Sequence, residues 1–167
     1  MNLPRGSHIA KLVMLMTLDL ICLPPLAAGR SGGMSHPDGA STRHVDELPP
    51  QIRKALSRWQ SACGAPLAAK PLFALALSDK ISGYRLISLH FHELSCVDRA
   101  ALCTREGCLH QVYISADGGY RLAFSANVPE VTMRFLDHTA TIEIECEPFG
   151  PQCPRVLRWN GRRFVGH

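Results

Sequence analysis

The first periodic pattern in the chain is helical and follows Pro49-Pro50, which suit a first helical turn because proline loses no needed hydrogen bond there. Apolar side chains then recur at helical spacing, and Gly64 after Cys63 suits a helix end. The pattern predicts one amphipathic helix from the prolines to Cys63. Its apolar and basic positions are Ile52, Leu56 and Trp59 against Arg53, Lys54 and Arg58.

After the helix the hydrophobic period changes to that of strands. Residues 72–77 and 84–91 are strand-like, and in the second segment Ile87, Leu89 and Phe91 share one face. Residues 131–136 and 139–144 flank Asp137-His138, and a two-residue loop places every apolar side chain of the hairpin on one face. The predicted pairs are Val131–Ile144, Met133–Ile142, Phe135–Ala140, Thr132–Glu143 and Arg134–Thr141.

Two further hairpins follow from glycine-containing turns. A three-residue loop, Asp117-Gly118-Gly119, segregates the apolar residues of 111–116 and 120–125, whereas a two-residue loop scatters them. Asn160-Gly161 is a strong two-residue turn signal. The predicted pairs are Val112–Phe124, Ile114–Leu122 and Ala116–Tyr120, then Trp159–Arg162, Leu157–Phe164, Arg158–Arg163 and Val156–Val165.

Together these elements predict an α+β fold, in which one N-terminal amphipathic helix packs on a mainly antiparallel, hairpin-rich sheet. Residues 48–167 form this single domain. Residues 30–47 are rich in Gly, Ser, His, Pro and Asp without a hydrophobic period, and they are expected to be a flexible linker.

The N-terminus has the three-part layout of a secretory signal: Arg5 and Lys11, an apolar run over 12–26, and small residues at 27–29. This layout predicts a signal peptide over 1–29 with cleavage after Gly29. Asp19 and Pro24-Pro25 depart from the usual apolar run. The alternatives are an uncleaved inner-membrane anchor, the one case in which the protein would contact a membrane, and a true start at Met34.

The chain has 167 residues, of which 46% are apolar and 19% charged, and a net charge of +4. These proportions are those of a globular protein, and the charge excess is too small for a dedicated nucleic-acid binder. Removing the signal leaves an even number of cysteines, which in a small exported domain predicts a disulfide framework and a periplasmic or extracellular location. We expect Cys146–Cys153, Cys96–Cys108 and Cys63–Cys103; a metal–thiolate site is disfavoured because no C-x2-C spacing occurs.

The cysteine-bearing core is similar to that of a family of uncharacterised small exported proteobacterial proteins with a six-cysteine pattern. The matching segments are residues 61–64, Cys96, Cys103, Gly107-Cys108, residues 112–115, Cys146, Cys153 and residues 157–164 with the sequence LRWNGRRF. The resemblance implies fold and compartment and brings no activity. Relatives often carry a calcium-binding-like loop, but here residues 78–83 offer one carboxylate, Asp79, so calcium is not expected.

His90 and His92 alternate along a predicted strand and would point to one side, which is half of a metal site, with His110 and Glu93 as possible completions. The favoured alternative is that both histidines are polar residues on the solvent face of the strand. No catalytic serine motif is present, and the alternating Glu143, Glu145 and Glu147 are interpreted as a solvent face. The sequence therefore disfavours an enzymatic function and predicts no cofactor.

Arg158, Arg162 and Arg163, with Arg155 nearby, form a basic hairpin tip in which Arg158 would face Arg163. An anionic partner would relieve that repulsion. The leading hypothesis is an exported, non-catalytic binding domain that recognises an anionic component of the cell envelope or an acidic protein surface. The alternative is a small periplasmic enzyme or metal-handling protein that uses His90 and His92, and a third histidine or a carboxylate converging on the pair would favour it.

Overall fold

A computed structural model describes residues 39–145 and 155–166, and these residues form two antiparallel sheets. The first sheet follows the order β1-β2-β3-β5-β4, with β6 paired to β5, and the second follows β10-β9-β8-β7. The prediction of a mainly antiparallel sheet is confirmed. The strands are β1 (Ser41–Arg43), β2 (Ala74–Ser78), β3 (Arg85–His90), β4 (Cys103–Thr104), β5 (Gly107–Ala116), β6 (Gly119–Val128), β7 (Glu130–Leu136), β8 (Thr139–Glu145), β9 (Arg155–Trp159) and β10 (Phe164–Gly166).

The first sheet is covered on both faces, because alternate residues of its strands point to opposite sides. Ile87 and Leu89 of β3 pack with the helical segment, in a cluster that includes the fully buried Ile52. Leu86 of β3 points the other way and packs against the second sheet, which contributes Met133 and Ile142. The expectation of a strand with one solvent face is therefore wrong for β3, since residues 86–90 are all buried.

The predicted single helix is instead three consecutive short helical segments. These are α1 (Pro50–Leu56), a 3-10 turn (Ser57–Trp59) and α2 (Gln60–Cys63). Ile52 and Leu56 are buried as the pattern requires, and Gly64 ends α2 with a φ of +85°, a backbone conformation that glycine adopts at low cost.

The predicted linker gives way to ordered structure earlier than expected. Ser41–Arg43 pair with Ala74–Ala76 of β2, and Val45–Glu47 form a 3-10 turn. Ala40 is buried in the apolar cluster to which both sheets contribute. This strand could not be predicted from the sequence, because the segment has too few apolar residues to show a strand pattern.

The β7–β8 hairpin has the predicted register at every pair, from Val131–Ile144 to Phe135–Ala140. Asp137 and His138 form the loop with φ values of +49° and +60°, as a two-residue turn of matching twist demands. Within this hairpin the separation of apolar and polar faces was sufficient to determine the pairing.

The β5–β6 hairpin differs from the prediction near its loop. The loop is Asp117-Gly118, so that Ala116 lies opposite Gly119 and Ile114 opposite Arg121. A bulge between Val112 and Tyr113 restores the predicted Val112–Phe124 pair. The extra residue of the bulge compensates for the shorter loop. The apolar pattern depends only on the total number of residues in the loop and the bulge, so it cannot tell the two arrangements apart.

The C-terminal hairpin also has a different register. Trp159 lies opposite Phe164 and Arg158 opposite Val165, because the loop spans the four residues 160–163. The side chain of Asn160 accepts hydrogen bonds from the backbone N–H groups of Arg162 and Arg163, which stabilises this longer turn. The predicted two-residue turn is therefore wrong, and so are all four predicted pairs: Trp159–Arg162, Leu157–Phe164, Arg158–Arg163 and Val156–Val165.

Two disulfides link the described cysteines, Cys63–Cys96 and Cys103–Cys108. The predicted pairs Cys96–Cys108 and Cys63–Cys103 are wrong, because Cys103 and Cys108 lie directly opposite each other in the β4–β5 ladder. Cys63–Cys96 joins the end of α2 to the segment after β3. Cys146 and Cys153 lie outside the described residues, as does the signal segment, so those predictions stand as they were. Persistent disulfides are typical of an oxidising environment.

Among the described residues, no helix has the length and apolar character needed to cross a membrane.

Candidate metal centre

Three histidines and one carboxylate converge where the end of β3 and the first half of β5 meet the start of β7. Each of His90, His92, His110 and Glu130 offers one ligand atom, and these four atoms lie within 4.8 Å of one another. Two ligands of one transition-metal ion are separated by about 3–4 Å when each bond is ~2.0–2.2 Å long. Small side-chain rotations would therefore bring all four onto one ion.

His110 is fully buried and is held in one orientation by its own strand. Its Nδ1–H donates to the backbone carbonyl of Cys108 over 2.9 Å. In a neutral ring this leaves the lone pair on Nε2. That atom is buried and makes no hydrogen bond, and its nearest charged neighbour is Oε1 of Glu130 at 3.5 Å. A buried ring nitrogen without a hydrogen bond facing a carboxylate is the arrangement that a cation between them would satisfy.

His90 is anchored on both sides of its ring. Its Nδ1 lies 2.8 Å from Oε1 of Glu130, and its Nε2 shares a 2.8 Å hydrogen bond with the hydroxyl of Ser88. Ser88 is itself buried, on the same face of β3. Because a hydroxyl both donates and accepts, Ser88 can serve either tautomer of the ring. His90 thus has a partner of the kind that orients metal-ligating histidines.

His92 is the most accessible of the three rings, with 32% of its side chain exposed. It belongs to the 3-10 turn Phe91–Glu93 that follows β3, which carries its ring back towards His90 and His110. Burial lowers the pKa of His92, against the opposing pull of Glu130 and Glu93. This favours the neutral ring, the form that binds metals.

Glu130 supplies the negative charge of the cluster. Burial alone would raise the pKa of its carboxyl, but His110 and His90, in the ring forms that carry a proton on the nitrogen facing it, hold the pKa far below its ordinary value. The ionised carboxylate is also fixed by the N–H of Val131, which donates to it over 2.9 Å. Glu130 therefore presents an ionised carboxylate to the three imidazoles.

The structure brings together the predicted pair, His90 and His92, and one of its two candidate completions, His110. The other candidate, Glu93, is not part of the cluster. Glu93 instead contacts Nε2 of His92 at 3.2 Å and Nζ of Lys70 at 3.7 Å. Glu130 was missed because it lies on the other sheet, and no local pattern shows how two sheets dock. The interpretation of His90 as a solvent-facing residue is wrong, since only 5% of its side chain is exposed.

The arginines of the C-terminal hairpin do not form the expected repulsive pair. Arg158, Arg162 and Arg163 are all exposed, but Arg158 faces Val165. Arg121 of β6 lies over the ring of Trp159, with its guanidinium carbon 4.8 Å from the ring centroid. The like-charge contact on which an anionic partner was inferred is absent.

Comparison with known proteins adds no assignment to this geometry: no protein-family model, curated protein or solved structure matches the chain.

Proposed function

We propose that the protein is a metal-binding domain, which holds one first-row divalent transition-metal ion between its two sheets. The observation that supports this most is the convergence of a third histidine and a carboxylate on His90 and His92. Imidazole nitrogen suits Zn²⁺, Cu²⁺, Ni²⁺ and Fe²⁺, whereas Mg²⁺ and Ca²⁺ prefer sites made of oxygen alone.

The orienting contacts strengthen the proposal. In the metal-bound state, Nδ1 of His90 and Nε2 of His110 would be ligand atoms, and the opposite nitrogen of each ring would keep its partner, Ser88 or the Cys108 carbonyl. Glu130 and Glu145 lie directly opposite each other in the β7–β8 ladder. Like charges in that position disfavour folding, and a cation beside Glu130 would offset the repulsion.

Recognition of an anionic envelope component by Arg158, Arg162 and Arg163 has weaker support, because the repulsive pair that motivated it is not formed.

We also propose that the metal-binding domain is exported to the periplasm. Export is supported by the two disulfides and by the signal-like layout of residues 1–29. Mature protein recovered from cells should then begin near Arg30, and N-terminal sequencing that returns Met1 would contradict export.

Metal binding is tested directly by titrating chelator-treated, tag-free protein with Zn²⁺ in a calorimeter and by measuring bound metal by mass spectrometry. We expect one ion per chain. The variant His92→Ala removes the most exposed ligand and should lose most of the affinity. The control is His138→Asn, which removes an exposed histidine outside the cluster and keeps a residue that tolerates the positive φ there.

A second pair of variants covers the case in which His92→Ala misfolds. Glu130→Gln should weaken Zn²⁺ binding, whereas Glu143→Gln, which makes the same charge change on a neighbouring strand, should not. Wild-type protein that binds no ion, or ligand variants that bind as tightly as their controls, would overturn the proposal.

A further inference from the structure

A cavity of about 140 Å³ adjoins one side of the four-residue cluster formed by His90, His92, His110 and Glu130. His90, His92 and Glu130 line it, but His110 does not. The remaining wall is largely apolar and includes Leu72, Val131 and Met133. The space is large enough to admit water or a small ligand.

The exposed fractions of the four side chains also indicate that the cluster is open on one side. His110 and His90 are 0% and 5% exposed and form the inner side of the cluster, whereas His92 and Glu130 are 32% and 33% exposed. An ion within reach of all four is thus enclosed by protein on the inner side and faces the cavity on the other. Metal sites that bind a substrate or water keep one coordination position free of protein ligands, and their coordination number can rise to five.

Glu145 also lines the cavity, and it lies directly opposite Glu130 on the same face of the β7–β8 ladder. No lysine or arginine is among the described residues that line this space. The two carboxylates together balance the two positive charges of a divalent ion. A neutral ligand entering the cavity would keep that balance, whereas an anion would meet the charge of Glu145.

From these observations we infer that the metal ion keeps a coordination position open to the cavity, that this position takes a small neutral ligand with a nitrogen or oxygen donor, and that Glu145 disfavours anions there. The inference rests on the proposed metal-binding function and adds a ligand class and a selectivity residue to it. Glu145 is exposed, as the solvent-face interpretation of the sequence expects, and the inference gives it a role in addition.

The test uses the full chain loaded with Co²⁺, whose visible absorption reports its ligands. Imidazole serves as the neutral probe and azide as the anionic one, and equilibrium dialysis checks that cobalt stays bound. We expect imidazole to change the spectrum at concentrations at which azide has little effect. In Glu145→Gln, the affinity for azide should rise about tenfold while that for imidazole stays within about twofold.

The matched control is Glu143→Gln, which removes the same charge two residues away on β8. Glu143 lies 3.4 Å from Arg134 and does not line the cavity. This control should leave both affinities unchanged.

The outcomes separate the two proposals. If the protein binds no cobalt, both fail. If cobalt binds but neither probe changes its spectrum, the open position is refuted and metal binding stands. If Glu145→Gln and Glu143→Gln have the same azide affinity, or if azide binds the wild type as well as imidazole does, the selectivity assigned to Glu145 is wrong.

Discussion

His90 of β3 and His110 of β5 lie directly opposite each other in an antiparallel ladder, with ring centroids 5.0 Å apart and ring planes at 88°. The pairing of two strands therefore fixes the relative position of two of the four candidate ligands. Both rings point towards the second sheet, where Glu130 approaches them from β7. The cluster thus needs correct strand pairing within one sheet and correct docking of the other.

Metal binding should stabilise the folded protein, because the four ligands come together only when it is folded. At an ion concentration one hundred times the dissociation constant, the expected gain in the free energy of unfolding is about 2.7 kcal/mol. Thermal unfolding with Zn²⁺ and with excess chelator measures it. The gain should vanish in His92→Ala and persist in His138→Asn; an equal gain in both variants would place the ion elsewhere.

Ser88→Ala should weaken Zn²⁺ binding by about tenfold, because the hydroxyl that orients His90 is lost while all four ligands remain. Calorimetric titration provides the measurement. A suitable control is Ser125→Ala on β6, whose hydroxyl accepts a hydrogen bond from Gln111 outside the cluster. Equal affinities in the two variants would show that Ser88 does not position the ligand.

Gly107→Ala should destabilise the protein far more than Gly83→Ala. Both glycines have positive φ values, +130° and +74°, but a Cβ on Gly107 would collide with the backbone of Val128, whereas one on Gly83 would meet nothing within 4 Å. Backbone strain of the kind expected at Gly83 costs ~1–2 kcal/mol. Urea unfolding of both variants gives the comparison, and similar losses would contradict the close approach of β5 to Val128.

Trp159→Ala should lower the free energy of unfolding by ~3–5 kcal/mol. The indole is buried and packs on Phe164, with ring centroids 5.3 Å apart. The double variant Arg158→Ser with Arg163→Ser, in the same hairpin, should change stability by less than about 0.5 kcal/mol, because both side chains are exposed. Denaturant unfolding distinguishes the two; a large loss in the double variant would mean that the arginines contribute to the fold.

Peptide mapping of the unreduced protein should recover Cys63 linked to Cys96 and Cys103 linked to Cys108. Cys146 and Cys153 should then be linked to each other, as the sequence predicts for cysteines flanking one short loop. A Cys146 peptide joined to any other cysteine would refute that pairing and would require a different arrangement of the remaining bonds.

The parts of the fold that sequence reasoning predicted are those with a local pattern. The β7–β8 register follows from an alternation that only one pairing satisfies. The β5–β6 loop was missed because a bulge can replace a loop residue without disturbing the Val112–Phe124 pair. The register of the last hairpin was missed because the Asn160-Gly161 pattern predicts a two-residue turn. In the structure, the side chain of Asn160 accepts hydrogen bonds from two backbone N–H groups and stabilises a four-residue loop instead.

The sequence predicted only part of the candidate site, again the part with a local pattern. His90 and His92 are close in sequence, and the pairing of β3 with β5 brings His110 beside them. Glu130 joins them only through the contact between two sheets, which depends on how whole layers of side chains interlock. The burial of His90 was equally hidden, because a second sheet covers the face that alternation assigned to solvent.

The division of the ligands between the two sheets links the ion to the interior packing. His90 and His110 move with the first sheet and Glu130 with the second, while residues such as Ile142 hold the sheets together. A substitution such as Ile142→Val, which alters no ligand, would change the spacing that the ion requires and hence its affinity. The dissociation constant of the metal would then serve as a gauge of sheet-to-sheet alignment, sensitive to changes in the core that leave the secondary structure intact.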